Sequence, residues 1–378
     1  MKNKINFLAY YLPQYHPIPE NDQWWGKGFT EWTNVTKSKP LFEGHYQPIL
    51  PADLGFYDLR ISEVQIQQAE LAKEYGIDGF VYYHYWFGNE KMLLEKPAEA
   101  MLQNKAIDIP FCFCWANESW KGIWHGINNN NVLMEQLYPG EQDIINHFNY
   151  LLPFFKDERY IKIEGKPMFH IYKPIDILNT KEYLSVYNRL AIENGFEGIY
   201  FVANFFPFET ENILEYGLDA QVGLDLFYKV RYKKAMEKSP GGNKLLRRIK
   251  NKFKSKIRSY IQPKKQKPSP MIYEYDEVVD YLKNDQYPQG INYFPCIIPN
   301  WDNTARAGIN ALIFKNSNPD DWAKWISYTI DKLKNREQKE KFIVIKSWNE
   351  WAEGNYLEPC SKFGYKWLEE LKKAKNKL

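Results

Sequence analysis

The chain has 378 residues, 44% hydrophobic and 26% charged, with a net charge of +3 at pH 7, the balance of a soluble globular protein with ample core. No stretch approaches eighteen uncharged apolar residues, which excludes a membrane-spanning helix on length. The four cysteines (112, 114, 296 and 360) have neither the spacing of a disulfide scaffold nor that of a zinc site, so they read as free thiols, with no metal and no cofactor expected.

In chain order, Met1 to Lys4 is basic, but the apolar run behind it is broken by Asn6 and meets Pro13-Gln14-Tyr15-His16 without a small-residue cleavage site. It therefore reads as a first strand rather than a targeting segment, and the expected location is cytoplasmic. Strand signals follow at 79–86, 109–115, 167–172, 198–203, 220–226, 292–298 and 342–347, eight in all with 5–12. Amphipathic helical patterns lie between them at 62–75, 141–152, 181–194 and 319–333. Eight strands alternating with helices imply a parallel sheet, and eight closes a (β/α)8 TIM barrel spanning 1–378 as one α/β catalytic domain. The Gly-x-Gly-x-x-Gly and Walker sequences that often accompany open doubly wound sheets are missing.

In a barrel, the residues just after each strand converge on one face. Here they are Gln14, Tyr15 and His16, with Trp25, Glu31 and Trp32 in the following loop; His84, Tyr85 and Trp86; Asn117, Glu118 and Trp120; and Trp301, Asp302 and Arg306. Aromatic rings beside hydrogen-bonding side chains, in a chain with 13 Trp and 28 Tyr, fit a carbohydrate cleft. Trp25, Trp32, Trp86, Trp120 and Trp301 are expected on one face, and Trp322, Trp325 and Trp367 in outer helices. The last strand runs into Ser347-Trp348-Asn349-Glu350-Trp351-Ala352-Glu353-Gly354. Residues three apart in such a turn share one side, roughly 5–6 Å between Cβ atoms. Two carboxyls that close divide acid and base work, one kept protonated by burial and by its neighbour's charge, the other ionised.

Residues 229–267 carry 16 Lys and Arg against one acid, Glu237, so the remainder of the chain sums to −12. Within this basic insertion after strand six, Leu245, Leu246, Ile249, Phe253, Ile257, Tyr260 and Ile261 form an apolar stripe at helical spacing. Such a helix can lie on anionic lipid, so 244–261 is a candidate contact with the inner face of the cytoplasmic membrane. No recognised nucleic-acid module accompanies the charge.

The opening Phe7 to Pro17, which includes Tyr11, the Trp24-Trp25-Gly26 to Asn34-Val35 loop, Trp301-Asp302-Asn303-Thr304 and the glutamate motif together resemble the WbsX-like proteins of bacterial polysaccharide gene clusters, along nearly the whole chain. That group is in turn similar to glycoside hydrolase family 99. The second resemblance implies retaining, endo-acting cleavage of α-mannosides without a metal, through a 1,2-anhydro sugar. It makes Glu350 the base for the sugar 2-hydroxyl and Glu353 the acid, then the base for water, with Tyr11, Trp348 and Asn349 beside them. Ala352 departs from the usual histidine of the motif, which bears on mannose as the sugar more than on the reaction type. Two other functions fit the same cleft: a glycosyltransferase of O-antigen or capsule synthesis using a lipid-linked or activated sugar, and a non-catalytic carbohydrate-binding barrel.

Overall fold

Runs such as Gly79–Trp86 and Phe111–Trp115 are buried along their whole length, as strands of a parallel sheet covered on both faces must be. In the computed structural model, which describes residues 4–122, 131–205, 212–224, 226–227, 229–230 and 269–378, they belong to a nearly closed parallel barrel. Its nine segments are β1 (Ile5–Tyr11), β2 (Gly79–Trp86), β3 (Phe111–Trp115), β4 (Lys166–Ile171), β5 (Tyr200–Ala203), β6 (Ala220–Val222), β7 (Asn292–Phe294), β8 (Cys296–Ile297) and β9 (Lys341–Ile345). Round the barrel they run β7-β6-β5-β4-β3-β2-β1-β9-β8.

The ends of that path, β7 and β8, are separated only by Pro295, which has no N–H to give a ladder. Phe294 O accepts from Gly223 N at 3.0 Å on one side, and Pro295 O accepts from Val344 N at 2.9 Å on the other. The expected strand at 292–298 is thus one interrupted strand, and the eight anticipated segments account for the barrel. The other boundaries shift by a few residues, as at 220–226, where pairing stops at Val222.

Outside the barrel lie the four anticipated helices, Ser62–Glu74, Glu141–Lys156, Thr180–Glu193 and Pro319–Lys334. The last shows its sequence signals directly: Asn318 caps it by accepting from Asp321 N at 3.0 Å, with Pro319 in its first turn. Glu141–Lys156 outruns its expected end because it continues past Pro153, where Phe154 and Phe155 bury against the barrel. Trp322, Trp325 and Trp367 sit in outer helices as expected. All four cysteines are buried and free. No helix among the described residues is long and apolar enough to cross a membrane. Of the basic insertion only Lys229 and Val230 belong to the described residues, and its stripe at 244–261 lies outside them.

The entry to β3 is tied by Arg159, whose guanidinium donates to Met101 O (2.8 Å), Asn104 O (3.2 Å) and Ile107 O (2.7 Å) around the end of helix Lys96–Gln103. Arg159→Met leaves those carbonyls unmatched at the barrel end opposite the glutamate motif. The expected loss is about 1–3 kcal/mol of stability, read as a lower urea midpoint; a midpoint equal to that of wild type would contradict this role of Arg159.

Candidate active site

Past β9 the chain is pinned by amide side chains before it reaches the glutamates. Asn349 pairs with the backbone of Leu12 in both senses, accepting from Leu12 N at 2.7 Å and donating to Leu12 O at 3.1 Å. Asn355 donates to Lys346 O (2.6 Å) and Asn300 O (2.8 Å), while Asn300 accepts from Tyr356 N at 3.0 Å. Asp302 N donates to Glu353 O at 2.8 Å. Gly354 follows at φ +54°, where a Cβ would stand 2.7 Å from Asp302 O, so only glycine fits between the two loops.

On this frame five charges alternate. Lys346 Nζ donates to Glu350 Oε1 at 2.8 Å and to Glu353 Oε2 at 3.1 Å. Arg306 reaches Glu353 Oε1 at 2.8 Å and Glu31 Oε1 at 3.0 Å. Glu31, Glu350 and Lys346 are 0%, 3% and 6% exposed, so each charge depends on its neighbours for the solvation that water would give. Lys346 thus bridges Glu350 and Glu353. Burial, and then the Glu353 charge, push the Glu350 carboxyl well up from its ordinary value. Burial works in the same sense on Glu353, but Lys346 and Arg306 outweigh it and hold Glu353 far below the usual range. The pair therefore rests with its proton on Glu350 and its charge on Glu353.

A cavity of ≈110 Å³ opens over these groups. Of the residues expected at the site, Gln14, Tyr85, Glu118, Trp120, Arg306, Glu350 and Glu353 line it. Tyr83, Tyr172 and Lys346 line it as well and were passed over by sequence reasoning. Lys346 had a signal: a lysine closing the apolar run Phe342 to Ile345. Asn117 lines an adjoining polar groove with Gln136, Tyr138 and Asp176, where Glu118 pairs with Lys173.

Others stand one layer back. Glu31 acts on the cavity through Arg306, and the Trp301 ring covers Lys346 at 5.2 Å. Trp301 and Asp302 face a second hollow, where Asp302 accepts from His45 at 2.6 Å and Gln47 at 2.8 Å. Tyr15 donates to Asn349 O and accepts from Trp351 N, and Trp32 packs 5.7 Å from Trp351. Trp348 and Asn349 are fully buried supports, and His16 is buried with its imidazole pushed down to about 4, chiefly by burial. Trp25 packs on Phe29.

Three expected contacts are corrected by strand alternation. Tyr83 and Tyr85 point to the cavity, so His84 and Trp86 point away, against helix Glu141–Lys156. His84 Nε2 lies 2.8 Å from His147 Nε2, and Trp86 stacks on His147 at 4.6 Å and donates to Asp143 at 3.1 Å. Tyr11 likewise turns outward, donating to Gln68 at 2.7 Å.

The sequence profile of a family described as Glycosyltransferase WbsX matches residues 7–371. Proteins named WxcX from two strains of Xanthomonas campestris pv. campestris are 34% identical over 371 residues, which is 97% of this chain and 49% of theirs. The chain thus spans about half the length of the curated relatives it matches. A solved structure described as a glycoside hydrolase-like protein superposes with a TM-score of 0.56 at 13% identity, covering 98% of this chain and 94% of the other. The GH99 endo-alpha-mannosidase from Bacteroides thetaiotaomicron superposes at 0.54 with 14% identity, covering 99% and 98%. At these identities the two structures speak to the fold.

Beneath the site, Glu358 accepts from Tyr57 OH (2.8 Å), Gln68 Nε2 (2.6 Å) and Trp351 Nε1 (2.6 Å), fixing the residue between the two glutamates. Burial lifts its carboxyl to about 7 against these donors. Because the folded value exceeds the ordinary 4.5, its stabilisation is complete below about 4.5 and is lost as pH rises through about 7. In Glu358→Gln an amide NH2 faces a donor, at an expected cost of about 1–3 kcal/mol. Urea unfolding should show the gap to wild type narrowing between about pH 4.5 and about pH 8; a gap that widens would contradict the raised carboxyl.

Proposed function

The chain belongs to the WbsX glycosyltransferase family, and from that membership we propose that Glu350 and Glu353 cleave a glycosidic bond in a bacterial surface polysaccharide or its precursor. The observation that carries this proposal is the buried carboxyl pair bridged by Lys346 at the mouth of a GH99-like barrel. In the reaction, ionised Glu350 takes the proton of the sugar 2-hydroxyl as O2 displaces the glycosidic oxygen at C1, and Glu353 protonates the departing oxygen. The 1,2-anhydro sugar then opens: Glu353 deprotonates water, which attacks C1 from the opposite face, and Glu350 returns its proton to O2. Two displacements at C1 give overall retention.

The resting charges fit the state after the first displacement. Glu353 is then ionised between Lys346 and Arg306 and Glu350 is neutral, the same distribution that the empty site favours. Charge that develops on Glu353 during the step is met by cations already in place, the condition for stabilising a transition state over a ground state. Reaching the starting arrangement requires one proton to pass from Glu350 to Glu353.

Glycosyl transfer is the second reading, favoured by the family's description. It differs only in the last step, where a sugar hydroxyl rather than water opens the anhydro ring. Product analysis after incubation with the cognate polysaccharide, with lipid-linked sugars and with sugar nucleotides separates the two. Lipid-linked precursors would also give the basic insertion, with its apolar stripe within 244–261, a role, holding the protein to anionic membrane. Flotation with anionic vesicles is expected at low salt and lost at high salt; flotation unchanged after deleting 245–261 would remove that role.

Glu350→Gln and Glu353→Gln should each lower turnover by about 10²–10⁴-fold or more while leaving glycan binding in place. Near-normal turnover by either variant on a glycan with a poor leaving group would take that residue out of the reaction.

A further inference from the structure

Lys346 is a lysine where the barrel would ordinarily place an apolar or small side chain. Its backbone is fixed on both sides: its N–H donates to Ile297 O at 3.0 Å, and its carbonyl accepts from Asn355 at 2.6 Å. The side chain therefore enters the cavity from a rigid strand end, and its ammonium meets Glu350, Glu353 and the face of Trp301. Arg306, a second cation at the pair, bonds Glu353 and Glu31. Among the described ion pairs, Lys346 is thus the cation that touches both members of the pair.

Resting on the acid/base reading above, we propose that Lys346 is a positioning residue of this site: it ties the two carboxyls to one ammonium and, together with Arg306 on Glu353, keeps the negative charge of the pair on Glu353. Burial works against its own charge, but the partner carboxyls Glu350 and Glu353 outweigh the loss of water. Of the other titratable groups near the pair, Tyr83 and Tyr85 of β2, Tyr172 beyond β4 and Cys114 of β3 are raised by burial and kept neutral. Glu31, across Arg306, is raised by burial too. Glu118, paired with Lys173, and Lys121 also stand on the cavity wall, but among the described ion pairs Lys346 and Arg306 are the cations that touch the pair.

A lysine that merely neutralised buried charge and one that orders the pair are separated by titration. With glutamates carrying ¹³C at the carboxyl carbon, NMR titration follows Glu350 and Glu353 in the free protein, without any glycan. In Lys346→Met, and in the more conservative Lys346→Gln, the Glu353 transition is expected to move up by about one pH unit or more. Lys346→Arg should restore it most of the way. With a cleaved glycan in hand, both limbs of the kcat/KM profile should move upward in the Met and Gln variants and return in the Arg variant. Unmoved carboxyl transitions in both Lys346→Met and Lys346→Gln, or a shift in Lys346→Arg as large as in Lys346→Met, would overturn the proposal. Because the titration needs no turnover, its failure leaves the acid/base reading standing, and absence of any cleaved glycan leaves the titration result standing.

Discussion

Five ionisable side chains, Glu350, Lys346, Glu353, Arg306 and Glu31, are buried in an unbroken alternation of acidic and basic groups at the mouth of the barrel. Removing any such ion from water costs several kcal/mol even in a relaxed protein, and a buried cluster survives only when each charge has a partner at hydrogen-bond distance. Much of the nearby structure serves that requirement. Asn349 sews the motif to Leu12, Asn355 and Asn300 hold Lys346 and Tyr356, and Glu358 gathers Trp351, Tyr57 and Gln68 beneath the turn. These contacts fix the backbone, and the backbone fixes the charges.

Alternation also makes the two glutamates unequal. Glu353 lies between two cations and Glu350 touches one, so residues only three apart are driven in opposite directions. For the displacement at C1 proposed above, such a pair would supply an acid and a base side by side, bridged by one ammonium. The walls supply Tyr83, Tyr85, Tyr172 and Trp120, rings with apolar faces suited to a sugar and phenols kept neutral by burial.

Much of this was legible in the sequence for one physical reason: parallel strands covered on both faces read as unbroken apolar runs, and their ends mark the functional rim. Gln14, Tyr85, Glu118, Trp120 and Arg306 were found by that proximity alone. Proximity without alternation misled at His84 and Trp86, although Tyr85 inward already requires its neighbours outward. Pro295 divided a strand that composition presented as whole, since carbonyl pairing on either side of it appears only in three dimensions. Lys346 stayed hidden inside a predicted strand, and Glu358 lies four residues past the motif that drew attention. What remained illegible depends on contacts between loops distant in sequence, such as Arg306 with Glu31 across 275 positions.

Burial and the two cations favour one proton for the pair, on Glu350, with Glu353 ionised between Lys346 and Arg306. Neutron diffraction from deuterium-exchanged crystals near neutral pH sees that proton directly. A deuteron is expected on the Glu350 carboxyl, with three on Lys346 and none bonded to Glu353. Two bare carboxylates, or a deuteron bonded to Glu353 with Glu350 ionised, would contradict it.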